Sequence, residues 1–405
     1  MRRFGLVAAI FLSALAPFGA GVAGARPGNT LAHRLARALH VPQVSQTRAA
    51  AIAIDLRTGA TAFQLHRSLP LEPASNEKLL VTYAALTRLG ASFRFHTDAL
   101  GQGSRAGPNV WRGSLVLKGY GDPTLSMHEL HLLVKQVRAD GIRRVTGNVV
   151  GDESFFDRER GVAGWKPQFT FQESPPLSAL EVDRDVFNGH MSAHPAYAAA
   201  IAFKDALEKA GVKVAGKART GKAWGSAVTL GQVTSGPLLG IMRFMDRQSD
   251  NFTAELLLKQ LGALRGRGSS ASGAAVVRHA LRAAGIPLEG VRVVDGSGLS
   301  TLDRLTARTL ASLLQTVWGD PAVRPYFFSC LAVSGKSGTM KNRLQDPPAR
   351  GHVHAKTGTT DEASALSGYV SKRWAFSVLH NGSPLATWWA KVAEDRFVTV
   401  LARAR

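Results

Sequence analysis

The sequence predicts an α+β fold, α/β in the loose sense, in which one antiparallel sheet flanked by helices is assembled from both ends of the chain and interrupted by a large insertion. Three features point there. Short strand candidates over residues 51–56 and 61–65 are joined by a tight turn at Thr58-Gly59. Three more lie over 352–356, 365–370 and 375–380, and helices with clear end signals occupy the stretch between.

In chain order, a short helical segment over 31–39 leads into the first strand pair, and a helix over 75–89 stops at Gly90. From 93 to about 237 the pattern changes. Short strands (114–117, 145–150), turns such as Gly121-Asp122-Pro123, and helices over 128–140 and 197–210 read as an inserted module that separates the 75–89 helix from another over 252–261. That helix closes at Gly262, and Arg265-Gly266-Arg267-Gly268-Ser269-Ser270 forms a loop. Helices over 274–284 and 306–318, the three C-terminal strands and an amphipathic helix over 386–401 complete the chain.

At 405 residues, with 45% hydrophobic and 20% charged, the protein has ample core and more length than one core usually fills. The expected division is an export signal over 1–25, a main domain from 26–95 and 238–405, and the insertion over 96–237. The signal is read from Arg2-Arg3, an apolar run, and Ala23-Gly24-Ala25 before Arg26-Pro27. No other segment reads as membrane-spanning, so an exported protein of the periplasm or outer envelope is expected. Losing residues 1–25, which carry two arginines and no acid, takes the formal charge from +21 to +19. Such a charge first suggests nucleic acid, but export and the scatter of the basic residues argue against it. The single cysteine, Cys330, lies in an apolar run and reads as a buried thiol.

Ser75-Asn76-Glu77-Lys78 is the only Ser-x-x-Lys in the chain and opens a helix. Positions i and i+3 share a helix face, so Lys78 can reach the Ser75 oxygen; the alternative is a helix-capping serine with a solvated lysine. Ser249-Asp250-Asn251, the only Ser-x-Asn, precedes the next helix, either as an ordinary cap or as a hydroxyl and carboxamide facing the nucleophile. Lys-Ser/Thr-Gly occurs twice. Lys336-Ser337-Gly338 is flanked by glycines and reads as a loop, whereas Lys356-Thr357-Gly358 continues an alternating strand. An edge strand there would offer its backbone to a peptide, so Lys356 is preferred. His128-Glu129-Leu130-His131 is one residue short of a zinc-protease motif, and His352 with His354 reads as a solvent-facing strand pair. No metal or organic cofactor is expected.

The three elements stand in a fixed order, 174 residues separating Ser75 from Ser249 and 107 separating Ser249 from Lys356. Together they form the set associated with penicillin-binding proteins and serine β-lactamases. With Gly119-Tyr120-Gly121-Asp122-Pro123, Gly151-Asp152-Glu153-Ser154-Phe155-Phe156 and Asp295-Gly296-Ser297-Gly298-Leu299-Ser300, the chain resembles the D-alanyl-D-alanine carboxypeptidase/endopeptidase family of low-molecular-mass class C penicillin-binding proteins. The long interval after Ser75 matches that family's insertion. Departures are Ser334-Gly335-Lys336-Ser337 and Thr360-Asp361.

The resemblance implies a penicillin-binding/transpeptidase-like domain that hydrolyses D-Ala-D-Ala, or D-Ala-diaminopimelate cross-links, in peptidoglycan stem peptides, with β-lactam antibiotics as covalent inhibitors. Ser75 would be the nucleophile and Lys78 its base. Ser249 would relay a proton, Asn251 would hold the substrate amide, and Lys356 with Thr357 would bind the terminal carboxylate. The Gly358-Thr359 strand end, through Thr359 N–H with that of Ser75, would form the oxyanion hole. Asp152 would read a side-chain amine of the substrate. The rivals are a β-lactamase and a non-catalytic wall-binding protein.

Overall fold

The computed structural model describes Met1, residues 30–187 and residues 189–404; the signal expected over 1–25 lies, beyond Met1, outside them. The chain opens with α1 (Leu31–Leu39), β1 (Ala49–Asp55) and β2 (Thr61–Leu65). A 3₁₀ turn over Ala74–Glu77 then runs into α2 (Lys78–Arg88), so the helix expected over 75–89 is two pieces. Next come β3 (His96–Arg105), β4 (Val110–Gly119), α3 (Met127–Ala139), β5 (Arg144–Val145) and β6 (Val149–Asp152). The single turn α4 (Phe169–Gln172), β7 (Val186–Phe187), β8 (His190–Met191), α5 (Pro195–Lys209), β9 (Lys213–Val214), β10 (Ala218–Thr220) and β11 (Val228–Thr234) follow. The chain returns through α6 (Leu238–Gln248), α7 (Asn251–Ala263), α8 (Ser270–Ala283), α9 (Ala307–Gly319) and α10 (Arg324–Cys330). It ends with β12 (Ala332–Val333), β13 (Val353–Thr359), β14 (Ala363–Val370), β15 (Trp374–Asn381) and α11 (Thr387–Arg403).

The main sheet runs β12-β13-β14-β15-β1-β2 and is antiparallel at every pairing. The N-terminal strand closes against the C-terminal one, with Ala51 opposite Val378. Both faces are covered. Ala50, Ile52 and Ile54 pack with α2, α6, α8 and α9, whereas Ala51 and Ala53 pack with α1 and α11. That double burial is why β1 reads as a nearly unbroken apolar run rather than a clean alternation.

The insertion has its own sheet, β10-β6-β4-β3-β11, with α3 and α5 supplying much of its core. Ser126 and Glu129 form a capping box at the start of α3. β3 was not expected, because Gly101 and Gly103 break its pattern; a Cβ at Gly101 would collide with the Trp111 ring of β4.

Two details depart from expectation. His354 is not a solvent-facing partner of His352: it packs on Phe328 at 4.1 Å between ring centroids, and burial pushes it down to about 4. β13 is also not an open edge along its length, since β12 covers His354 and Ala355. Cys330 is buried as expected, its Sγ donating to Tyr326 O at 3.3 Å, and burial pushes the thiol well above its ordinary value.

Candidate active site

Three elements meet at one point: the turn before α2, the junction of α6 and α7, and the uncovered end of β13. Ser75 sits in the 3₁₀ turn and Lys78 is the first residue of α2. Because i and i+3 eclipse in a 3₁₀ turn, Lys78 Nζ donates to Ser75 Oγ at 3.0 Å. It also donates to Asn251 Oδ1 at 2.9 Å and to Ser297 O at 2.6 Å. Lys356 Nζ donates to Ser249 Oγ at 2.8 Å and to Thr357 O at 2.9 Å. The five candidate side chains Ser75, Lys78, Ser249, Asn251 and Lys356 thus form two hydrogen-bonded groups, each centred on a lysine that is 0% exposed.

Local backbone geometry presents them. Ala74 has φ 45° and Ser249 has φ 61°, so a non-glycine residue in the left-handed region precedes Ser75 and ends α6. Such conformations cost of order 1 kcal/mol and persist where the surroundings over-determine them. Asp250 is an ordinary N-cap after all, accepting from Thr253 N at 2.9 Å. The 249–251 triplet therefore both starts α7 and presents a hydroxyl and an amide on either side of the cap. Gly358 is needed for close approach, since a Cβ there would lie 2.8 Å from Pro73 O and 3.0 Å from Ser75 N.

On the β12 side of β13, Val353 O accepts from Ser334 N at 3.0 Å. By the two-residue alternation of an antiparallel ladder, the backbone groups of Thr357 and Thr359 face the same side, past the end of β12. The Lys356 carbonyl accepts from Asn76 Nδ2 at 3.2 Å, tying the strand to the serine turn. Thr357 Oγ1 donates to Thr339 Oγ1 at 2.8 Å.

Burial is the main electrostatic influence. It lowers Lys78 to about 8, against the opposing pull of Asp295, Glu255, Asp250 and Asp246. It also drives Lys356 well below its ordinary value, with the Lys78 charge acting in the same direction. Glu77, Glu255 and Asp303 are buried behind Lys78 and are pushed upward by burial and by the charge of Asp295.

Asp152 stands apart from this group. It is 0% exposed, its oxygens accept from Ser154 N and Ala223 N, each at 2.8 Å, and Lys118 Nζ lies 3.9 Å away. Buried, with each oxygen accepting one N–H inside the insertion, it is not presented alongside the five candidates. Lys336 makes no hydrogen bond to the five candidates and lies beside Gly351. Ser297 and Glu173 were missed. Both act through backbone carbonyls: Ser297 O holds Lys78, and Glu173 O accepts from Asn251 Nδ2 at 3.0 Å. The only sequence trace of the first is the glycine-flanked Asp295–Ser300 stretch. A cavity of about 800 Å³ lined by Arg265, Arg278 and Arg282 contains none of the five candidates, so cavity size does not locate the site.

The fold is that of the penicillin-binding proteins. Penicillin binding protein 4 (dacB) from Haemophilus influenzae aligns with a TM-score of 0.79 over 91% of this chain and 97% of that one, at 22% identity. The family model described as D-Ala-D-Ala carboxypeptidase 3 (S13) matches residues 31–196 and 188–404, and the chain belongs to that family. It is 31% identical to a D-alanyl-D-alanine carboxypeptidase of Actinomadura sp., over 86% of this chain and 81% of that protein. It is 32% identical to carboxypeptidase DacB of Mycolicibacterium smegmatis, over 79% and 72% respectively.

Proposed function

We propose that this protein is a serine D-Ala-D-Ala carboxypeptidase acting on peptidoglycan stem peptides in the cell envelope, and that β-lactams acylate the same serine. The observation that carries this is the 3.0 Å approach of Lys78 Nζ to Ser75 Oγ by a lysine whose burial brings it to about 8. A lysine near its ordinary value of 10.4 would be almost wholly charged at neutral pH and unable to take a proton. Lowered by burial, a useful fraction is neutral.

Ser75 Oγ attacks the carbonyl of the penultimate D-Ala while its proton passes to Lys78. The developing oxyanion lies between Ser75 N–H and Thr359 N–H. The C–N bond breaks as the proton that Lys78 took from Ser75 passes on through Ser249 to the leaving amine, which returns Lys78 to its neutral form; Ser249 is held by Lys356 Nζ throughout. The charged Lys356, with Thr357, holds the substrate's terminal carboxylate, and Asn251 holds the amide of the acyl part. Water then attacks the ester, releasing the shortened peptide and returning the proton to Ser75.

The test is incubation of the mature protein with benzylpenicillin and peptide mass mapping, beside assay of products from purified muropeptides. A long-lived adduct on Ser75 and release of D-Ala are expected. An adduct on Ser249 or Ser337, or none, overturns the assignment, and rapid penicillin turnover makes the protein a β-lactamase.

A further inference from the structure

A neutral lysine carries two N–H hydrogens and one lone pair. Lys78 Nζ has three partners, and two of them, Asn251 Oδ1 at 2.9 Å and Ser297 O at 2.6 Å, can only accept. They take the two hydrogens and leave the lone pair for the Ser75 hydroxyl at 3.0 Å. Whatever fixes those two acceptors therefore aims the base, and both are held by one segment of the insertion, residues 163–173.

Asn251 is held by the Glu173 carbonyl. Ser297 is held through Asp295, which is 0% exposed. Asp295 Oδ1 accepts from Gly298 N at 2.6 Å. Its Oδ2 accepts from Ser300 N at 2.8 Å, from Ser297 Oγ at 3.1 Å and from Trp165 Nε1 at 2.8 Å. Three of these donors belong to the 295–300 loop itself, whereas the indole comes from the insertion. Beside it, Ser300 Oγ donates to Ala163 O at 2.7 Å and Thr301 N to Gly164 O at 3.2 Å. The loop also abuts the serine turn, since a Cβ at Gly298, where φ is 81°, would collide with Ala74 O. A shift of the loop would thus reach the nucleophile and its base together.

We infer that Trp165 is a positioning residue for the reaction: its indole N–H pins Asp295, and through it the Ser297 carbonyl, so that the insertion aims the lone pair of Lys78 at Ser75. This rests on the base role proposed above for Lys78. The ring is itself anchored, packing on the cluster that includes Phe156 and Phe252, and Phe252 follows Asn251 on α7. Without the N–H, a buried carboxylate oxygen loses one of its three donors, and the loop can move with it. A side chain that only filled the cluster would act through its bulk instead.

Two substitutions separate donor from bulk. Trp165→Phe keeps an apolar ring and removes the N–H; Trp165→His puts Nε2–H at the ring position of the indole Nε1 and removes the benzo ring. The experiment is benzylpenicillin acylation, resolved into the non-covalent Kd and the acylation rate constant, with a thermal melt of each protein. Trp165→Phe should lower the rate constant on the order of 10-fold and leave Kd within about two-fold. Trp165→His should acylate within a few-fold of wild type, although it melts lower than Trp165→Phe. Trp165→His acylating no faster than Trp165→Phe, an unchanged rate in Trp165→Phe, or a loss confined to Kd overturns the inference. If one variant does not fold, the other decides by the same criterion; if neither folds, Trp165 is a core residue and the inference falls. A wild type that forms no Ser75 adduct overturns the proposed function instead, and the two failures are distinct.

Discussion

Asn251 donates through Nδ2 to the carbonyl of Glu173 at 3.0 Å, so the amide that faces the nucleophile is oriented by the insertion. Its Oδ1 is thereby turned to Lys78, and one N–H of Nδ2 is left for a substrate. Replacing Asn251 by aspartate would put a negative charge 2.9 Å from Lys78 Nζ in place of a neutral oxygen. A carboxylate at that distance raises a lysine. The low-pH limb of the acylation profile should move upward, with a loss on the order of 10²-fold at pH 7; an unmoved limb would separate Asn251 from Lys78.

Lys356 and Lys336 form a matched pair for mutagenesis, since each begins a Lys-Ser/Thr-Gly triplet. Lys356→Ala should lose on the order of 10²-fold or more in kcat/KM. Lys336→Ala should stay within a few-fold. Equal losses, measured on one peptide substrate, would contradict the geometry around Ser249.

Ser249 offers a test that separates stability from activity. With φ at 61°, it occupies a backbone region costing about 1 kcal/mol or more for a residue with a Cβ. Ser249→Gly should therefore unfold at a higher temperature than Ser249→Ala, although both lose the hydroxyl that Lys356 holds. Thermal melts of the two variants, beside their acylation rates, decide it; identical melts would mean that the strain is absent.

Stability should fall as pH rises from 6.5 to 8. Glu255 is pushed up to about 8, and Asp246 and Asp185 to about 7, so the folded state holds protons that the unfolded state has already released. Groups raised on folding contribute stability that is complete below their unfolded values and is lost through their folded ones. His354 and His380, pushed down to about 4 by burial, act in the opposite sense, but only between about 4 and their ordinary 6.5. Lys78, lowered to about 8, adds stability only as pH climbs from there towards 10.5. Denaturant midpoints at pH 6.5, 8 and 9.5 would test the sequence of signs, and a midpoint rising from 6.5 to 8 would contradict it.

The main sheet was legible because its strands carry short apolar runs at both ends of the chain, and the helices because their caps are conventional. Ser75, Lys78, Ser249, Asn251 and Lys356 were legible as short spacings whose order ties them together. What escaped were features without a side-chain signature: the carbonyls of Ser297 and Glu173, and the glycine-broken β3. Asp152 looks different in sequence and in structure for a related reason. An acid in a glycine-bounded turn looks free in sequence, whereas here it is buried and accepts from two N–H groups of the insertion. No element was read over residues 238–248, where α6 lies, which hid Asp246, a polar residue among the buried apolar ones of that helix.

The short strand β12 has one more consequence. An exposed sheet edge invites other chains to add to it, and long open edges are where folded proteins aggregate. Here the covered part of β13 stops at Ala355, leaving only Lys356–Thr359 unpaired on that side, about 13 Å at roughly 3.3 Å per residue. A notch of that length admits the last few residues of a peptide and is too short to nucleate a ladder with another protein's strand. The same two residues of β12 thus act as a ruler for the ligand and a guard against self-association.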